Sequence, residues 1–256
     1  MKIARFLHRG KELFGVVEGD HIQAAKGEMF GQFSVSRQVY SLTEVKILPP
    51  VMPSKIVAIG LNYKDHAAEV KFELPEEPLI FLKPASAVIG YLDPIIYPAM
   101  SRRVDFEGEL GIVMGRLAKE VPEDKADEFI LGYTCFNDVT ARDLQGKDGQ
   151  WTRAKGFDTF APLGPWVETE IDTSRLKLET LLNGERKQAS DTSHLIFPPR
   201  RLVSFISRIM TLYPGDVIAT GTPSGIGPMQ VGDTVEVVIE GIGSLINTVA
   251  APLQGA

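Results

Sequence analysis

The chain has 256 residues and a single cysteine, Cys135. One thiol excludes an internal disulfide framework and fits a reducing compartment. Cys135 lies in an apolar, strand-like run, where a thiol packs as a small apolar side chain and not as a nucleophile. No apolar stretch approaches the ~18 residues needed to cross a bilayer. Met1–Phe6 lacks the apolar core and small-residue cleavage site of a secretion signal. The expected setting is therefore the cytoplasm, with no membrane partner. Basic stripes are also missing. The net charge is -6, which argues against nucleic acid.

What is present is ordinary globular material. The apolar share is 44%, enough for a proper core, and the length suits one large domain or one domain with a small appendage. Residues 1–48 read as short strands, with Ile3–Phe6 and Leu13–Val17 on either side of the turn His8–Lys11. Pro49-Pro50-Val51-Met52-Pro53 then fixes an extended connector. The division expected is a small N-terminal domain at 1–48 and a catalytic domain at 54–256. Further strands are predicted at Ile56–Leu61, Leu79–Leu82, Leu110–Met114, Ile130–Phe136, Leu176–Leu182, Val217–Thr220 and Val235–Ile239. Helices are few. Pro199–Met210 has its apolar residues at helical spacing, and Pro122–Phe129 reads as a short acidic helix with proline in its first turn. The 24 glycines and 17 prolines supply turns. The fold class is α+β, mainly β: a mixed, mostly antiparallel structure, rolled or barrel-like, with few helices.

Four groups of residues invite chemistry. Glu107 and Glu109 lie two apart before an apolar run, so on a strand they face one way. Asp138 follows another apolar run, and Lys155 sits in Trp151-Thr152-Arg153-Ala154-Lys155. Acids on a strand are commonly solvated. Acids abutting such apolar segments are partly buried, and must then be paired or hold a metal. Three carboxylates without histidine or cysteine suit Mg2+ or Mn2+, not zinc. Asp105 is a weaker member, being nearer the edge of the pattern. Next, His66 and Glu69 are helical neighbours, either a general base with its orienting carboxylate or a solvated surface pair. Arg142, in Thr140–Gln145, binds a substrate carboxylate or pairs structurally, with Asp143 among the partners. Last, Ala219–Pro228 is glycine-rich without the ending of a phosphate loop, and composition favours a tight turn.

Taken in order along the chain, several stretches resemble the fumarylacetoacetate hydrolase family. They are Gly60-Leu61-Asn62-Tyr63-Lys64-Asp65-His66, Phe81-Leu82-Lys83-Pro84, Asp105-Phe106-Glu107-Gly108-Glu109-Leu110, Asn137–Asp143, Trp151–Lys155 and Thr220-Gly221-Thr222-Pro223. The resemblance implies a mixed β-roll catalytic domain behind a short N-terminal domain, and a homodimer. It puts a metal-holding triad on Glu107, Glu109 and Asp138, the characteristic lysine on Lys155, and a base dyad on His66 and Glu69 in a mobile lid. Arg142, Gln145 and Thr222 fall on substrate-lining positions. The substrates implied are small 2-oxo acids.

In such a site a divalent cation holds the charge of a developing enolate, and Lys155 adds to that stabilisation. Burial and the nearby cation are expected to keep the pKa of Lys155 from rising. The activity expected is hydrolysis of an acylpyruvate-like 2,4-dioxo acid, with His66 activating water. The alternatives are oxaloacetate decarboxylation or tautomerisation, isomerisation of 2-hydroxyhepta-2,4-diene-1,7-dioate, and a metal-stabilised binding module without catalysis.

Overall fold

The computed structural model describes residues 1–65 and 74–252. Those residues form a mainly β structure in three sheets with short helices, as the sequence pattern predicts. The central strand is Gly108–Met114. It pairs antiparallel with Ile130–Asn137 on one side and with Val217–Ala219 on the other. Val217–Ala219 in turn runs parallel to Ile56–Gly60, which pairs antiparallel with the outermost strand, Leu79–Lys83.

Past Glu109, the strand Gly108–Met114 is apolar because both of its faces are buried. Leu110, Ile112 and Met114 point into one core with Leu178, Val237, Ile239 and Leu245 of a five-stranded sheet, and with Leu202, Val203 and Ile206. Those last three lie on the helix Pro199–Ile209, which falls where its periodicity puts it. Val113 points the other way, into a core with Ile56, Ala58, Phe136, Leu163 and Ala219. The alternation of a β-strand thus serves two cores at once.

The N-terminal strands Lys2–His8, Lys11–Glu18, His21–Gly27 and Phe33–Ser41 continue the large sheet, with Lys2 and Ile3 paired to Glu168 and Val167 of Ala161–Glu168. They enclose a small core of Ala4, Phe6, Val17, Ile22, Ala24 and Ile47. Among the described residues no helix is long and apolar enough to cross a membrane.

Two local expectations change. The acidic segment after Pro122 forms a 3-10 helix, Glu123–Phe129, with Ala126 its one buried residue. A single small apolar side chain does not dock an α-helix against a core. Conversely Arg142–Asp148 is helical and ends at Gly149, whose φ of 70° lies in the left-handed region. Its one buried apolar residue, Leu144, gives no periodicity to read.

Two strands of the large sheet are tied at one end by a buried carboxylate. Asp216 Oδ1 accepts from the Ser54 amide at 3.0 Å, the Ser54 hydroxyl at 2.6 Å and the Lys55 amide at 3.2 Å. Its Oδ2 accepts from the Tyr213 amide at 2.8 Å and from Lys55 Nζ. Burial opposes the charge, but Lys55, Ser54 and the amides outweigh it and hold the carboxyl below its usual range. This knot fixes the start of Ile56–Gly60 beside the start of Val217–Ala219. Asp216→Ala is expected to destabilise the fold by about 3 kcal/mol, because buried donors and a cation lose their acceptor. Urea unfolding measures this. The contribution is present above the ordinary carboxylate range and is lost as pH falls through the depressed value, so the gap between wild type and Asp216→Ala closes in acid.

Candidate metal centre

The carboxylates of Glu107, Glu109 and Asp138 are buried, and each offers an oxygen within 4.8 Å of the others. Register brings them together. Gly108 pairs with Asn137, so the residues just outside this pair, Glu107 and Asp138, meet at the end of the two strands. The Asp138 amide donates to Glu107 O at 2.8 Å, and the Glu107 amide donates to Asn137 Oδ1 at 3.0 Å. The single strand expected through Glu107 is instead broken there, between Val104–Phe106 and Gly108–Met114. The acids converge nonetheless.

Each acid has a different set of partners. Glu107 Oε1 accepts from Arg142 Nη2 and from the Thr140 hydroxyl, the latter at 3.1 Å, while Oε2 accepts from Lys155 Nζ at 2.9 Å. Asp138 Oδ2 accepts from Lys155 Nζ, and Oδ1 from Lys83 Nζ at 2.5 Å. Glu109 Oε2 accepts from the Gly221 amide at 2.8 Å, and no cation among the described residues pairs with Glu109. The electrostatics follow. Burial pushes Glu107 up, but Lys155 and Arg142 outweigh it and hold the acid down to about 2. Burial pushes Glu109 well up, and the charges of Asp138 and Glu107 add to the rise.

For Lys155 the expectation assumed a bound cation; without one the two acids set the direction. Burial disfavours its charge, yet Asp138 and Glu107 outweigh burial, and its pKa is raised. The two carboxylates it touches decide the sign. Lys83 is completely buried, and for it burial wins, lowering its pKa despite Asp138.

Arg142 makes three bonds within the protein: Nε with Asp105 at 2.9 Å, Nη1 with Gln145 Oε1 at 2.6 Å, and Nη2 with Glu107. Asp143 instead accepts from the Ser101 hydroxyl and the Arg102 amide. Asp105 is buried, with both oxygens held by Arg103 and Arg142, which leaves Glu107, Glu109 and Asp138 as the converging set. The Thr222 hydroxyl donates to Gly108 O at 2.9 Å and accepts from Gln188 Nε2 at 2.8 Å. His66 and Glu69, and with them the lid that the resemblance implies there, lie outside the described residues.

The glycine-rich segment after Val217–Ala219 is part of the site. Gly221 has φ 95°, and a Cβ there would stand 2.8 Å from Asn62 Cβ. Glycine therefore lets this loop press against Asn62 and aim its amide at Glu109. Asn62 clips the neighbouring loops, donating to Phe197 O and Thr220 O and accepting from the Phe197 amide. Composition had favoured a plain turn here, because the contact that matters lies about 160 residues away in sequence. Sequence reasoning gave no role to Lys83, Thr140, Asn137 or Gln188. A charge count was the available signal for Lys83, since the acids of this region outnumber the bases assigned to them.

The donor set fits a hard divalent cation. It is all oxygen, it converges, and one acid stays without a counter-charge while its neighbours repel it. A mainly β scaffold closed around such a carboxylate cluster, with a buried lysine beside it, defines the class of protein. The chain belongs to the fumarylacetoacetate hydrolase family: the family description "Fumarylacetoacetate (FAA) hydrolase C-terminal" matches residues 55–250, and "Rv2993c-like, N-terminal" matches residues 1–50. The oxaloacetate tautomerase FAHD2B of Bos taurus is 43% identical over 220 residues, 81% of this chain and 70% of that protein. The crystal structure of 2-hydroxyhepta-2,4-diene-1,7-dioate isomerase from Mycobacterium marinum superimposes with a TM-score of 0.92 at 43% identity, covering 100% of both chains. Maleylpyruvate hydrolase from Sphingobium, solved in complex with manganese(II) ion and pyruvate, gives a TM-score of 0.83 at 29% identity over 99% of this chain and 100% of that one.

The raised pKa of Glu109 has a measurable sign. Its contribution to metal-free stability is present with the acid protonated and is lost as pH rises through the raised value. Glu109→Gln removes that repulsion. Above the raised value it is expected to raise the melting temperature of metal-free protein by about 2–4 °C and to abolish the further rise expected of wild type with Mn2+. Differential scanning calorimetry with and without Mn2+ reads both; a lower melting temperature for metal-free Glu109→Gln would refute the repulsion.

Proposed function

We propose that the chain is a divalent-metal-dependent enzyme that moves a proton in small 2-oxo acids, interconverting their enol and keto forms. The observation that carries this reading is the buried Lys155 ammonium between Glu107 and Asp138, with Glu109 unpaired beside them. Glu107, Glu109 and Asp138 would hold Mg2+ or Mn2+, which when bound supplies a Lewis acid to the carboxylate and 2-oxo oxygens of the substrate. Lys155 keeps its proton and presents positive charge where negative charge gathers on the 2-oxo oxygen. Arg142, held by Asp105 and Gln145, fixes Glu107 in place, and Lys83 fixes Asp138. Thr222 and Gln188 hold the loop that carries the Gly221 amide. His66, oriented by Glu69, is the base in this reading.

Tautomerisation and isomerisation come first because the relatives at 43% identity are a tautomerase and an isomerase. Hydrolysis of an acylpyruvate-like 2,4-dioxo acid is the second reading, favoured by the likeness to maleylpyruvate hydrolase over nearly the whole chain. It requires His66 to activate a water as well as to move a proton. The same reading takes the chain as a homodimer with a small N-terminal domain.

A panel of enol-oxaloacetate, 2-hydroxyhepta-2,4-diene-1,7-dioate and acetylpyruvate, each followed by ultraviolet absorbance with Mg2+ and with Mn2+, separates the readings. The expected result is enol-to-keto conversion of oxaloacetate or rearrangement of the diene, with Lys155→Ala reducing kcat by about 100-fold or more. Cleavage of acetylpyruvate alone would move the assignment to hydrolysis. No metal-dependent turnover of any of the three would overturn both.

A further inference from the structure

We infer that Lys155 is a built-in stand-in for the divalent cation: its ammonium occupies the oxygens the ion needs, and the ion loads by displacing it. This rests on the metal-site reading above and adds an order of events to it. The argument is an account of oxygens. Glu107 Oε1 is taken by Arg142 and Thr140, and Asp138 Oδ1 by Lys83. What remains on these two acids is Glu107 Oε2 and Asp138 Oδ2, and both are bridged by Lys155 Nζ. Each of those two oxygens accepts only the bond from Lys155, and they are the pair we assign to the ion.

The two buried lysines differ in how they are held. Lys83 Nζ holds the other oxygen of Asp138 and also donates to the Val139 carbonyl at 3.2 Å, so a second, backbone anchor keeps it in place. Lys155 has no backbone anchor for its ammonium among the described residues. Its other neighbour is the Phe81 ring, 5.2 Å from Nζ, an electron-rich face on which a displaced ammonium can rest. Exchange of one positive charge for two then relieves the unpaired Glu109 and frees Lys155 for an anionic ligand. The cation enters first, and the lysine becomes available to substrate as a result.

Manganese titration of the full chain by calorimetry tests this through two variants with opposite expected signs. Lys155→Met removes the competitor and is expected to bind Mn2+ about tenfold tighter than wild type, the worth of one charge-assisted hydrogen bond. Lys155→Arg keeps the charge in a bulkier head and is expected to bind more weakly. A lysine that merely braces the fold predicts the reverse: weaker binding for Lys155→Met and rescue by arginine. Lys155→Met affinity equal to or weaker than wild type overturns the inference. Should Lys155→Met not fold without metal, the wild-type protein decides. The ammonium resonance of Lys155, followed in lysine-labelled protein, is expected to shift and exchange faster with water on Mg2+ saturation; an unchanged resonance overturns the inference. Failure of wild type to take up Mn2+ at millimolar concentration overturns the metal reading and this inference together, whereas uptake with the wrong variant order overturns this inference alone.

Discussion

Three buried carboxylates meet at one point, and the fold around them is arranged to make that tolerable. Two like charges about 4 Å apart repel by about 4 kcal/mol even at an effective dielectric constant of about 20. Three such pairs rival the net stability of a whole domain, about 5–15 kcal/mol. The protein answers with cations drawn from distant segments: Lys83 from the outermost strand, Arg142 from a short helix, Lys155 from the next one. The compensation is incomplete by design of the geometry, since Glu109 receives a backbone amide and no cation. A divalent ion bound among the three acids would remove that residual repulsion.

The scaffold explains how the acids are held so close. Glu109 is itself buried and projects from a strand buried on both faces, which leaves it little freedom to turn away. Glu107 and Asp138 sit where two paired strands end, cross-linked by the Asp138 amide and by Asn137. The loop carrying Gly221 closes the third side. A methyl group at that position would collide with Asn62, so the Glu109–amide bond depends on the absence of a side chain. Rigid packing here supplies the positioning that flexible loops supply elsewhere.

Much of this was legible in the chain. Strand positions followed from apolar runs and alternation, and the helix Pro199–Ile209 from its spacing. The acids at 107, 109 and 138 stood out because charge beside a core-forming run needs a reason. What sequence could not give was pairing across long separations. Nothing local says that Arg142 reaches back to Asp105 and Glu107, or that Thr222 spends its hydroxyl on Gly108 and Gln188. Lys83 reads locally as the polar end of a strand; it becomes a partner of Asp138 only when strands 55 residues apart are brought together. For Lys155, too, burial was visible in the pattern, but the contact with both Glu107 and Asp138 was not.

The three-residue strand Val217–Ala219 lies between two features that sequence places side by side and chemistry keeps apart. At its start is the Asp216 knot, and just past its end is the Gly221 amide that holds Glu109. A link this short has no slack. Heat that loosened the knot would shift the far end of the strand and draw the amide from its acid. Under the proposed metal-dependent reading, thermal inactivation would begin as loss of grip on the ion, ahead of melting, and bound ion would in turn brace the knot.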